Sequence, residues 1–173
     1  MLSMPTVTIH SKVTCKNNHS VENQRPTNNT CCLISTGVCQ YSTITDWIQT
    51  MEERTAHTYS TCQETLTRVH KFALPLPLIA LDISNCPEIN LDHAFHIPID
   101  DIESMYKLRG IIYYGQSHFT ARVIQNNGLV CYHDGLETGK NLVYEGTLAN
   151  LLDNNLSECR GRQATVAMYV KCS

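Results

Sequence analysis

Two runs of strand-type residues flank Asn126-Asn127-Gly128, and this hairpin constrains the chain more than any other stretch. If Asn-Asn-Gly forms a three-residue loop with Gly128 left-handed, Gln125 pairs with Leu129 and Thr120 with Asp134. His118 then becomes the diagonal, same-face neighbour of Asp134, with Cβ atoms about 7 Å apart or less. A two-residue Asn-Gly loop would instead send the two side chains to opposite faces, because the side-chain period along a strand is two. The loop type therefore decides whether a histidine and a carboxylate share one site.

A carboxylate that accepts the imidazole Nδ1 proton fixes the ring tautomer and favours the imidazolium. Nε2 is then left to take a proton from a cysteine or serine. A histidine beside a carboxylate is also a common structural hydrogen bond, so the pair needs a wider pattern around it to carry a function. The hairpin itself supplies no nucleophile.

The remaining composition narrows the field. At 173 residues the chain is long enough for one domain with its own core. Its net charge of -3 comes with scattered basic residues and no basic cluster, which excludes nucleic acid as a partner class. No apolar run approaches membrane-spanning length, and Met1 to His10 lacks a basic segment followed by an apolar one. The expectation is a protein without membrane association, intracellular and either cytoplasmic or nuclear. Nine cysteines, an odd count without a repeating framework, fit reduced thiols better than disulfides. Oligomeric state is not legible.

Ile44, Trp47, Ile48 and Met51 recur at helical spacing, and Thr43 with Asp46 resembles a capping box, so a helix is predicted from Ile44 to about Arg54. Residues 1 to 37 are polar and turn-rich, and short strands at most are expected there. Strands are predicted at Thr65 to Phe72, Leu78 to Ser84, Ile89 to Ile99, Met105 to Tyr114, both arms of the hairpin, Leu142 to Gly146 and Ala164 to Lys171. A short helix is predicted at Thr147 to Leu152. Many successive strands with one or two short helices mean an α+β fold, strongly β-biased, built on a mainly antiparallel sheet.

With these residues in place, roughly residues 60 to 171 resemble the C-terminal half of a ubiquitin-specific protease catalytic domain, a papain-like cysteine deubiquitinase. The resemblance rests on an ordered set: Leu74-Pro-Leu-Pro-Leu-Ile-Ala-Leu-Asp-Ile, Tyr106-Lys-Leu-Arg-Gly-Ile-Ile-Tyr-Tyr-Gly, Ser117-His118-Phe119-Thr-Ala, Tyr132-His-Asp134-Gly and Ala167-Met-Tyr-Val-Lys. Ser117 and Phe119 stand where Gly and Tyr are commoner in that family, and Val130 where a Trp often sits. The resemblance implies one domain fragment, with about 1–65 as a divergent finger-like region and about 66–172 as the sheet that bears the histidine and aspartate.

It also implies roles. His118 would be the general base, Asp134 its orienting carboxylate, and the reaction thiol-dependent hydrolysis of a ubiquitin isopeptide bond, with ubiquitin or a ubiquitin-like protein as partner. The family's nucleophile lies in a box at a helix N-terminus, where the thiol pKa is lowered. Here Asn28-Asn29-Thr30-Cys31-Cys32 is the lookalike, but Pro26 falls where the oxyanion-stabilising Asn belongs and Asn28 where Gly belongs. Cys31 is thus a weak nucleophile candidate, and the expectation is a chain that lacks its cysteine box and is inactive alone, or a non-catalytic ubiquitin- or protein-binding module. No cofactor is expected. Cys15, His19 and Cys62 stand near the family's zinc knuckles, yet Tyr59 replaces one cysteine and a closed tetrahedral site wants four ligands. Cys86, Cys131, Cys159 and Cys172 are expected as small buried hydrophobes.

Overall fold

In the computed structural model, residues 8–28, 33–37, 41–72, 75–99, 102–152 and 156–172 are described. The capping box forms as the sequence predicts. Thr43 Oγ1 accepts from the Asp46 N–H at 3.0 Å, and the Thr43 N–H donates to Asp46 Oδ2 at 3.2 Å, opening helix α1 at Ile44–Thr50. Ile44, Trp47 and Ile48 face inward and are buried. The helix is shorter than expected because Met51 turns left-handed (φ 49°), with its N–H on Trp47 O at 2.7 Å. The chain leaves as strand β4 (Glu52–Thr58), which takes up the last residues of the predicted helix.

The polar N-terminal region carries more regular structure than expected. Strands β1 (Thr8–Thr14) and β2 (Ser20–Asn28) form a hairpin, which joins β4 and β5 (Thr65–Phe72) in a four-stranded antiparallel sheet ordered β2-β1-β5-β4. Pairing on both sides of β1 overrides its polar composition, and Pro26 is tolerated because β2 is an edge strand.

The second sheet holds nine strands. These are β3 (Leu33–Ser35), β6 (Leu78–Asp82), β7 (Ala94–Ile99), β8 (Ile102–Gly115), β9 (His118–Ile124), β10 (Leu129–His133), β11 (Val143–Thr147), β12 (Glu158–Cys159) and β13 (Arg162–Lys171). Its main path is β11-β10-β9-β8-β13-β6-β3, with β7 on β8 and β12 on β13. Among the described strands β3 and β6 run parallel and the other pairs antiparallel. The fold is thus α+β with a strong β bias. Helix α2 (Leu148–Leu152) follows β11.

The alternating run from Ile89 is strand only from Ala94. Its first part docks on the start of α1 instead, where the Asn90 N–H donates to Ser42 O at 2.9 Å and Asp92 Oδ2 accepts from the Thr45 N–H at 2.7 Å. Ile89 and Leu91 are still buried, so their alternation records burial and not pairing.

Five large side chains with polar tips lie fully buried: Trp47, Tyr106, Tyr113, Tyr132 and Tyr169. Such tips need partners in a low-dielectric interior. Trp47 donates to Glu52 O at 2.9 Å, Tyr106 to Leu76 O at 2.8 Å, Tyr113 to Leu156 O at 3.0 Å and Tyr169 to Asp92 O at 3.0 Å. Tyr132 differs, since its hydroxyl donates to the carboxylate of Asp134 at 3.3 Å.

The opposite face of the nine-stranded sheet carries a set of exposed apolar side chains. Strand register places Leu78, Val170, Tyr114, Phe119, Val123 and Tyr144 on that one face, and all are exposed. Tyr114 and Phe119 pack against each other with ring centroids 4.5 Å apart.

Candidate functional site

The β9–β10 hairpin takes the register that a three-residue loop requires. Val130 pairs with Ile124 and His133 with Ala121, while the Gln125 N–H donates to Leu129 O at 2.8 Å. Gly128 sits at φ 82°, a left-handed conformation that costs glycine little. At the opposite end of β9, Gln116 and Ser117 turn the chain with φ 54° and 58°, a tight hairpin turn built without glycine. Gly115 permits that turn to lie close on β13, since a Cβ there would meet the Arg162 Cα at 3.2 Å. Both turns together fix where His118 stands.

His118 Nε2 lies 2.8 Å from Asp134 Oδ1. The two side chains share a face as the hairpin predicts, but the ring nitrogen differs from the expectation. The residues are diagonal neighbours, a longer span than a direct cross-strand pair, and the distal Nε2 bridges it. Nδ1 is therefore the nitrogen free of the carboxylate, and among the described residues no thiol is hydrogen-bonded to it.

Asp134 is built to stay ionised. Its side chain is 1% exposed, whereas that of His118 is 24% exposed. Burial alone would raise the carboxyl pKa, but hydrogen bonds from His118 and from the Leu136 and Glu137 N–H groups, with the charge of His118, outweigh it. Together they hold the group below the usual carboxylate range. Leu136 N–H reaches Oδ1 at 2.9 Å and Glu137 N–H at 3.3 Å, in a turn that Thr138 closes by donating to Asp134 O at 2.8 Å. Oδ2 takes the Tyr132 hydroxyl. Burial raises the pKa of Tyr132, and the Asp134 charge adds to the rise, so the hydroxyl remains a donor.

Charged groups support the pair from behind. The Arg160 guanidinium lies 3.8 Å from the Tyr132 ring centroid, and Arg160 is within 3.5 Å of both Glu137 and Glu145. Arg122 Nε pairs with Glu145 Oε2 at 2.7 Å, and its Nη1 donates to the Tyr113 hydroxyl at 3.3 Å. The sequence reading missed these supports. Arg122 and Tyr132 alternate in phase with Asp134, which was the available signal, whereas Arg160 arrives from a distant turn.

The other predicted residues fall elsewhere. Cys31 lies outside the described residues. Cys86, Cys131 and Cys159 are buried as small hydrophobic side chains, as expected, whereas Cys172 near the chain end is only half-buried.

At one end of the four-stranded sheet, the β1–β2 and β4–β5 turns bring Cys15, His19 and Cys62 together, their donor atoms all within 4.8 Å of one another. Sequence spacing could not assemble this trio, because it depends on β1 lying beside β5. Cys15 Sγ is 3.5 Å from His19 Nδ1 and 3.6 Å from Cys62 Sγ. A hydrogen bond from the Glu64 backbone lowers the Cys62 thiol to about 7, and His19, Cys15 and Asn17 contribute against the opposing effect of burial. Tyr59 stacks on His19 with centroids 4.7 Å apart. Such a Cys-His-Cys group can offer three ligands to a metal ion. Among the described residues no fourth His, Cys, Asp or Glu joins it, so the closed tetrahedral set of a structural zinc site is incomplete.

No protein-family model matches the sequence, and no curated protein matches it. Solved structures do. The SAGA deubiquitinase (DUB) module of Ubp8, Sgf11, Sus1 and Sgf73 bound to monoubiquitin, with a substituted Ubp8, has a TM-score of 0.57 at 10% identity over 96% of this chain and 40% of that one. The module bound to ubiquitin aldehyde has a TM-score of 0.56 at 11% identity, over 96% of this chain and 41% of that one. The yeast module with a substituted Sgf73 has a TM-score of 0.56 at 10% identity, over 96% and 41%. This chain thus spans about two fifths of the solved chains it matches. At such identity the likeness shows the fold alone, and that fold is the one of ubiquitin-specific protease-type deubiquitinase domains.

Proposed function

We propose that this chain is a divergent ubiquitin-specific protease-like protein that keeps the base and orienting carboxylate of a thiol hydrolase but does not complete the nucleophilic step by itself. The observation that carries the reading is the 2.8 Å contact between His118 and a buried, ionised Asp134 on that fold. In the ancestral reaction a cysteine thiol would pass its proton to His118 Nδ1, and the thiolate would attack the carbonyl carbon of the ubiquitin isopeptide bond. Asp134, through Nε2, would hold the ring and stabilise the imidazolium. The four-stranded sheet would serve as the finger-like part and the nine-stranded sheet as the part that presents His118. No cofactor enters this chemistry. Inactivity rests on Cys31, whose sequence surroundings lack an oxyanion donor and a helix start.

A second reading is a non-catalytic module that binds ubiquitin or another protein. The exposed apolar set on the nine-stranded sheet, with Tyr114, Phe119, Val123 and Tyr144, favours it, because aromatic surface of this kind commonly marks interaction sites.

One experiment separates these readings. The protein is incubated with ubiquitin bearing a C-terminal electrophile and is also titrated with plain ubiquitin. Binding without covalent labelling is expected. A labelled cysteine would show a self-sufficient enzyme, and absence of both labelling and binding would overturn the ubiquitin-directed reading.

A further inference from the structure

We propose that Cys15 and Cys62 form a reversible thiol–disulfide switch that staples the β1–β2 turn to the β4–β5 turn. The two sulfurs lie 3.6 Å apart, so forming a bond of about 2 Å requires only a small shift of each side chain. Both sit in tight turns at the same end of the sheet, one behind Thr14 and the other ahead of Thr65, and β1 pairs with β5 from Ile9↔Phe72 to Thr14↔Thr67. A bond between the turns would therefore pin two strands already in register, without dragging either across the sheet.

The pair is asymmetric in a way that suits stepwise exchange. Cys15 is 5% exposed, while Cys62 is half-buried. His19 Nδ1 is 3.5 Å from Cys15 Sγ and so can accept its proton. Cys62, the more accessible of the two sulfurs, is the one a dissolved oxidant meets first. With a small-molecule disulfide as oxidant, Cys62 thiolate attacks one sulfur and releases one small thiolate. The buried Cys15, deprotonated toward His19, then attacks Cys62 Sγ and releases the second. The protein loses two thiol protons and two electrons, and one molecule of disulfide becomes two of thiol.

The full-length chain is treated with oxidised glutathione in the presence of EDTA, so that no metal occupies the sulfurs, then alkylated and digested with trypsin. Expected is a linked pair of the peptides Val13–Lys16 and Thr55–Arg68, with loss of both alkylated forms and their return after dithiothreitol. In Cys15→Ser, Cys62 should accumulate as its glutathione adduct. In Cys62→Ser, the shielded Cys15 should remain alkylatable. Persistence of both alkylated peptides in the parent, a stable glutathione adduct at Cys62 in the parent, or pairing of Cys62 with another cysteine would overturn the proposal.

Discussion

The two residue clusters of this molecule are both assembled by hairpin turns, yet they differ in how completely their polar atoms are satisfied. Around Asp134, a ring nitrogen, a phenol and two backbone N–H groups converge on one buried carboxylate. Around Cys15, His19 and Cys62, three donor atoms meet, and among the described residues no fourth His, Cys, Asp or Glu joins them. A carboxylate that accepts four hydrogen bonds is held in one geometry and one charge state, whereas two thiols 3.6 Å apart can react with each other once oxidised. The first cluster is a fixed part and the second a changeable one.

Removing the fixed part should have the largest effect. Asp134→Ala would leave Tyr132, His118 and two backbone donors without their acceptor, and the thermal midpoint is expected to fall by on the order of 10 °C. A fall no larger than that of Cys62→Ser would erase the contrast between the clusters.

Acid should expose the same contrast. Because the fold holds the Asp134 carboxyl below its ordinary value of 3.8, the stability it contributes is fully present above that pH and is lost as the pH falls further through the lowered value. Thermal midpoints measured through that range should drop more steeply for the parent than for Asp134→Asn, which carries no titrating carboxyl there.

Smaller changes sharpen the assignment. Tyr132→Phe deletes one hydrogen bond to Asp134 and should cost about 1 kcal/mol in denaturant unfolding. Ser117→Gly relieves a left-handed residue in the turn before His118 and should stabilise the protein by about 1 kcal/mol in the same assay. Cys62→Ser, at the tip of the other sheet, should change stability by less than about 0.5 kcal/mol.

Much of the hairpin was legible because local chemistry decides it. Asn-Asn-Gly with a left-handed Gly128 fixes the pairing, and the pairing fixes the face of His118 relative to Asp134. The capping box of α1 was legible for the same reason. What the sequence hid depends on partners far along the chain. Polar residues 8–28 form strands and a turn because β5 lies beside β1, and that contact brings together Cys15, His19 and Cys62, a trio that the family resemblance names but that spacing alone does not join. The alternation from Ile89 misled because docking onto α1 buries the same side of the chain that a strand would. The ring nitrogen that meets Asp134 was misassigned because side-chain reach, unlike register, is not encoded in spacing.

Nitrogen-detected NMR of the His118 imidazole at neutral pH addresses the dyad most directly. Nε2 should carry the proton directed at Asp134, with Nδ1 as the acceptor in the neutral ring, and Asp134→Asn should shift the Nε2 resonance. A ring protonated on Nδ1 alone, or one indifferent to that substitution, would contradict the pairing on which the proposed chemistry stands.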